Sequence, residues 1–153
     1  MTDTSLDARY SLTNLSQAQA HVLCQALELL ARLGLSQLEY LMEFVRMGGI
    51  TGPDGKPIGL ERVEQADGMV DTLKLLLCEY GGGASKGIGS PTTPKNAQVA
   101  WELFKVIRHR LAAERPSDGI GGVYSQDPYL VKYTQEPAVT LERVADAGAA
   151  QPD

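Results

Sequence analysis

The residue types best suited to chemistry in this chain of 153 residues gather between Gly81 and Arg115. Gly81, Gly82 and Gly83 open a stretch, residues 84–93, of small and polar side chains with one large hydrophobe, Ile88. Backbone amides of Gly82, Gly83, Gly87 and Gly89 and the hydroxyls of Ser85, Ser90, Thr92 and Thr93 can surround an anion, together with the unpaired N–H groups where a following helix begins. Lys86 and Lys95 add charge there, with the Asn96 carboxamide beside them. The helix expected after the loop carries Lys95, Lys105, Arg108, Arg110 and Arg115 against Glu102 and Glu114, a local net of +3 in a chain of formal net charge -5. Lys105, Arg108 and His109 stand at i, i+3 and i+4, on neighbouring parts of one helical face, and Trp101 precedes Lys105 by four. An aromatic ring beside bidentate donors suits a phosphorylated, base-containing ligand.

Each of these features also has a plain structural reading. Glycines after a helix serve C-capping and loop closure. Arginines near a helix C-terminus complement its dipole without a ligand. Trp101 fits a core or an interface, and Tyr124, Tyr129 and Tyr133 fit an arm packed on a neighbouring subunit more readily than a stack on a base. Catalysis has one conceivable arrangement, His109 as general base beside a loop serine with Arg108 or Arg110 stabilising charge. Ser85 and Ser90 lack a G-x-S-x-G elbow. His21 is the other histidine, and no cysteine or carboxylate completes a zinc set, so neither metal nor cofactor is expected.

The elements that must position these groups follow from periodicity and caps. Residues 1–13 read as a polar N-terminal arm. Ser16 and Gln19 have capping-box spacing, so a helix should begin at Gln17. Leu23, Leu27, Leu30, Leu38, Leu41 and Val45 carry its apolar stripe toward Met47, where Gly48 and Gly49 end it. Gly34 stands in the middle, either to break the helix or to admit another one closely; one continuous helix is the expectation. Such a helix would be about 45 Å long, more than a small monomer covers, which hints at a homodimer or larger oligomer. Pro53-Asp54-Gly55 signals a turn in a hairpin-like excursion at residues 50–58. Val63, Ala66, Val70, Leu73, Leu77 and Tyr80 keep helical steps, predicting a second helix over 60–80. Thr93 as N-cap and Pro94 at the first helical position predict a third over 94–114, with Ala97, Ala100, Phe104, Ile107 and Leu111 as its core stripe. Residues 120–144 alternate briefly between Pro128 and Pro137, consistent with an extended arm or short strands.

Two resemblances arise. Gly83-Ala84-Ser85-Lys86-Gly87-Ile88-Gly89 resembles the phosphate loop of short-chain dehydrogenases, where such a loop joins a buried strand to a helix. Here it follows a helix, and Ser90-Pro91 rather than a helix comes next, so that fold is not expected. Separately, Ala84 to Ile88, Pro94 through Trp101, Val106-Ile107-Arg108-His109-Arg110-Leu111-Ala112, and the first helix around Ala26 to Leu29 resemble small accessory proteins of tailed phages and prophages. That resemblance implies a phage-related origin and action on a host system by binding; it brings no activity with it.

Composition bounds the rest. A hydrophobic fraction of 43% with 22% charged residues describes an ordinary globular chain, and no apolar run reaches the ~20 residues that span a bilayer. The acidic balance argues against non-specific nucleic-acid binding. Without an apolar leader segment, and with Cys24 and Cys78 set in apolar helical patterns, a cytoplasmic protein with free thiols is expected. The sequence thus predicts a mainly α-helical domain over 14–144, with three long amphipathic helices in a small bundle, an extended C-terminal arm and a disordered tail at 145–153. Its expected function is non-catalytic binding of a nucleotide-like anion, for instance sequestering a host defence signal. The alternatives are a factor that binds or inhibits a host protein, and a small phosphoester-acting enzyme.

Overall fold

The computed structural model describes residues 10–113, 132–136 and 138–142. It is mainly helical, in the order α1 (Gln17–Gly34), α2 (Glu39–Arg46), α3 (Leu60–Cys78) and α4 (Lys95–Ala113), with no strand among the described residues. The capping box forms as expected: the Ser16 hydroxyl accepts from the Gln19 amide at 3.2 Å, and the Gln19 carboxamide oxygen accepts from the Ser16 amide at 2.8 Å.

Where one helix over 17–47 is expected, the chain makes two. Gly34 lies so close to α4 that a Cβ built on it would stand 2.3 Å from the Ala97 Cβ. Directly after this contact Ser36 takes a left-handed conformation (φ 65°), and the Ser36 and Gln37 amides close the end of α1 onto Leu33 and Arg32 carbonyls. The break also removes the argument for oligomerisation from an over-long first helix, since α1 is only about 27 Å.

α1 and α4 form the main packing unit, and they run antiparallel. Ala20, Leu23, Cys24 and Leu27 near the start of α1 share a cluster with Ile107, Leu111 and Leu141, whereas Gly34 at its end meets Ala97 near the start of α4. Small buried residues, Ala31, Ala97 and Ala100, let the backbones approach, and Phe104 fills the space between them at 1% exposure. A core phenylalanine of this kind contributes about 3–5 kcal/mol against alanine.

α2 and α3 form a second antiparallel pair, held at both ends by charge. Lys74 Nζ donates to Glu39 Oε2 at 2.8 Å, and Arg46 pairs with Asp67. Between them residues 50–58 make the expected excursion, with Thr51 bridged to Pro57 and Gly55 at positive φ. Glu79 in the left-handed region ends α3, two residues short of the expected 80. Gly82, also left-handed, turns its carbonyl onto the fully buried Lys74 ammonium at 2.7 Å.

One carboxylate of α4 accepts the hydrogen bonds that dock residues 133 and 134 of the C-terminal arm. Glu102 Oε1 accepts from the Tyr133 and Thr134 amides at 2.5 and 2.7 Å, and its Oε2 accepts from the Thr134 hydroxyl at 2.7 Å. Lys95 pairs with Glu136 at 2.7 Å. Residues 132–136 and 138–142 contain bends and irregular backbone, with no strand. Tyr124, Tyr129, residues 1–9 of the expected N-terminal arm and the tail over 145–153 lie outside the described residues.

Candidate functional site

The glycine-rich loop lies against the α1–α2 junction. The Lys86 amide donates to the Leu35 carbonyl at 2.9 Å, and the Gln37 carboxamide donates to the Ser85 hydroxyl at 3.2 Å. Within the loop, Ser90 and Thr92 hydroxyls are 3.0 Å apart, and Lys86 Nζ reaches the Thr92 carbonyl at 3.4 Å. The Thr93 hydroxyl donates to the Gly87 carbonyl at 2.8 Å; α4 begins at Lys95, and the Pro94 carbonyl accepts from the Ala97 and Gln98 amides. Gln98 donates to the Ile88 carbonyl at 3.0 Å, and the Asn96 carboxamide oxygen accepts from the Ala97 amide at 2.9 Å. The hydroxyls expected to hold an anion therefore bind the protein's own polar groups. As the sequence context indicates, the Gly83–Gly89 segment connects two helices, not a strand and a helix.

The expected aromatic and basic groups are likewise engaged. Trp101 stacks against the Arg32 guanidinium, which lies 5.1 Å from its ring centroid and 5.0 Å from that of Tyr40 on its other side. Trp101 is also 5.7 Å from Phe104, whose face carries the Arg108 guanidinium at 4.5 Å. Rings and guanidinium groups thus form one continuous row from Tyr40 through Arg32, Trp101 and Phe104 to Arg108, each of its cation–π contacts worth about 0.5–2 kcal/mol. Lys105 lies 5.6 Å from the centroid of the Tyr133 ring, under the arm rather than on an open face. Lys95 is turned to Glu136, and His109 is half-buried on α4. Lys95 and Asn96 also line an open groove of about 400 Å³ with Leu27, Leu30, Val99 and Leu103.

Arg32 organises a polar cluster that sequence reading passes over. Its Nη1 donates to Gln37 at 3.0 Å and its Nη2 to Glu28 at 3.2 Å. The chain Glu28, Arg32, Gln37, Ser85 therefore joins α1, the interhelix bend and the loop. Burial first, and then the hydrogen bond to Glu28, raise the Tyr40 phenol above its ordinary value. Glu28 and Arg32 stand at i, i+4, a spacing visible in the sequence. Gln37 and Ser85 are 48 residues apart, and no local pattern joins them.

Among the described residues, an apolar face without a partner lies on α3. Its Val63 and Lys74 are buried, whereas Met69, Leu73, Leu76 and Leu77 are exposed by 74, 46, 77 and 66%. Leu73 and Leu77 belong to the expected apolar stripe, so that stripe is covered at Val63, Ala66 and Val70 and bare in its C-terminal half. Among the described residues no three His, Cys, Asp or Glu side chains group as a metal site, and no helix is long and apolar enough to cross a membrane. Comparison of the chain with protein-family models, curated proteins and solved structures finds no match.

Proposed function

We propose that the protein acts by association, presenting the bare apolar face of α3 to an amphipathic helix of a protein partner. The observation that carries this reading is the run Met69, Leu73, Leu76 and Leu77, four large hydrophobes on adjoining helical positions and all in water. Contiguous exposed apolar surface of several hundred Å² is characteristic of interaction sites. α1 and α4 then act as a rigid base, and the α2–α3 pair is the presenting element. The resemblance to phage accessory proteins makes a host component one candidate partner. The test is a photo-cross-linking residue at position 76 in expressing cells, with position 64 on the opposite side of α3 as control. A discrete adduct at 76 alone, with its cross-linked peptide mapped to an amphipathic helix, supports the reading; equal labelling at both positions, or none, overturns it.

A second reading retains the nucleotide-like anion at the loop, with sequestration as its role. What favours it is the convergence of Trp101, Arg32 and Ser85 on one polar chain, where an entering anion could exchange for Glu28 and Gln37 as the partner of Arg32. Calorimetric titration with linear and cyclic nucleotides tests it. Saturable, salt-weakened binding lost in Lys86→Ala and Arg32→Ala supports it, and no heat across the panel removes it.

A further inference from the structure

We infer that the partner of α3 is a second copy of α3, packed antiparallel about a two-fold axis near residue 71; this rests on the association reading above and names its partner. The residues Arg62, Ala66, Met69, Leu73 and Leu76 are spaced by four, three, four and three, the alternation of a helix-pairing seam. The adjoining row, Val63, Asp67, Val70 and Lys74, lies on the α2 side, where Asp67 pairs with Arg46 and Lys74 with Glu39. α2 therefore covers one flank of α3 and leaves Met69, Leu73 and Leu76 of the seam in water, with Ala66 half-buried.

Three observations select a second copy. The seam is symmetric: antiparallel pairing centred at residue 71 sets Met69 against the partner's Leu73, and Ala66 against the partner's Leu76. A surface complementary to itself is what a two-fold interface requires. Charge then selects the direction. Glu61, Glu64, Asp67 and Asp71 crowd the first two-thirds of α3, so a parallel pair sets like charges side by side and aligns the helix dipoles. The antiparallel pair opposes the dipoles and brings Arg62 within one residue of the level of the partner's Glu79, both being exposed. Area agrees as well. Met69, Leu73, Leu76 and Leu77 together leave several hundred Å² in water, the scale of the apolar share of the ~800 Å² that each partner buries in a standard interface. With α2 on the outer flank of each α3, the two pairs form a four-helix arrangement.

The full-length protein is tested by light scattering behind size exclusion and by cysteine cross-linking. The expected mass is twice the 16.5 kDa of the chain. Leu73→Glu with Leu76→Glu should weaken the dimer at least a hundredfold while leaving the helical circular-dichroism signal unchanged. With Cys24 and Cys78 replaced by alanine, chains carrying Gln65→Cys and chains carrying Glu79→Cys should cross-link when mixed and oxidised, and neither should do so alone. A monomer at every concentration up to ~100 µM overturns the inference, as does a dimer that cross-links Gln65→Cys chains to one another. Should the monomer still yield a position-76 adduct with another protein's helix, the association reading stands and only the self-pairing falls. A dimer that survives both glutamates places its interface elsewhere and overturns the self-pairing of α3.

Discussion

Replacing Glu102 by alanine should release the C-terminal arm without unfolding the helices. One carboxylate accepts all three of the hydrogen bonds that fasten Tyr133 and Thr134 to α4. Bonds to a charged acceptor contribute about 1.5–3 kcal/mol each, but donors freed on a released arm rehydrate, so the net cost stops at the free energy that docks the arm. We expect a loss of about 2–4 kcal/mol in local protection, or roughly 30- to 1000-fold faster amide exchange at Tyr133 and Thr134. Exchange within α1 and α4 should change far less, because Phe104, Ala100 and Ala97 remain buried between them. Native-state hydrogen exchange read residue by residue gives both numbers. pH offers a second handle. Burial pushes the Glu102 carboxyl up, but the Thr134 hydroxyl, the Tyr133 and Thr134 amides and the Lys132 charge outweigh it and hold the group below its ordinary value. The docked arm therefore binds fewer protons than the released one. Docking is at full strength above the ordinary carboxylate range and is lost as pH falls through the lower value that Glu102 holds when docked. Glu102→Gln, which keeps an acceptor oxygen, should cost less and abolish this pH dependence. Unchanged exchange at Tyr133 and Thr134 in Glu102→Ala, or an equal loss across α1 and α4, would refute the reasoning.

Gly34→Ala should destabilise the protein by up to about 2 kcal/mol in urea titration, because a Cβ there meets Ala97, an overpacking cost of about 1–3 kcal/mol set against the ~1 kcal/mol gain in helix propensity. Ala97→Gly in the same chain should recover part of the loss, and a stabilised single variant would contradict the contact. Glu39→Ala leaves the buried Lys74 ammonium with the Gly82 carbonyl as its remaining named partner and should cost about 2–3 kcal/mol, whereas Lys74→Met with Glu39→Gln should cost less than Glu39→Ala alone. Cys24, whose thiol is raised by burial and then by Glu28, should react with iodoacetamide at pH 8 more slowly than a free thiol, and at the free rate in denaturant.

Features set by short-range pattern were legible in advance. The Ser16–Gln19 box, the glycine stop at Gly48, the turn at Pro53 and the core stripe of α4 each depend on residues within about one helical turn of one another, so spacing suffices to find them. The site was legible in part. The loop and the basic helix are adjacent in space, as expected, since Gln98 binds Ile88 and Thr93 binds Gly87. What those side chains do there was not legible, because their partners come from distant segments: Arg32 over Trp101, Gln37 on Ser85, Tyr133 over Lys105.

The sequence by itself determined that this chain is mainly helical and where most of its helices begin and end, since caps, periodicity and glycine stops act locally. Tertiary structure alone decided that the first helix breaks after Gly34, because the close approach of Ala97 and the docking of Lys86 on Leu35 link residues more than fifty positions apart. It also decided which part of the apolar stripe of α3 is covered. Periodicity shows that a face is apolar; only the position of the short α2 shows that Val63 and Val70 are packed while Leu73, Leu76 and Leu77 meet water.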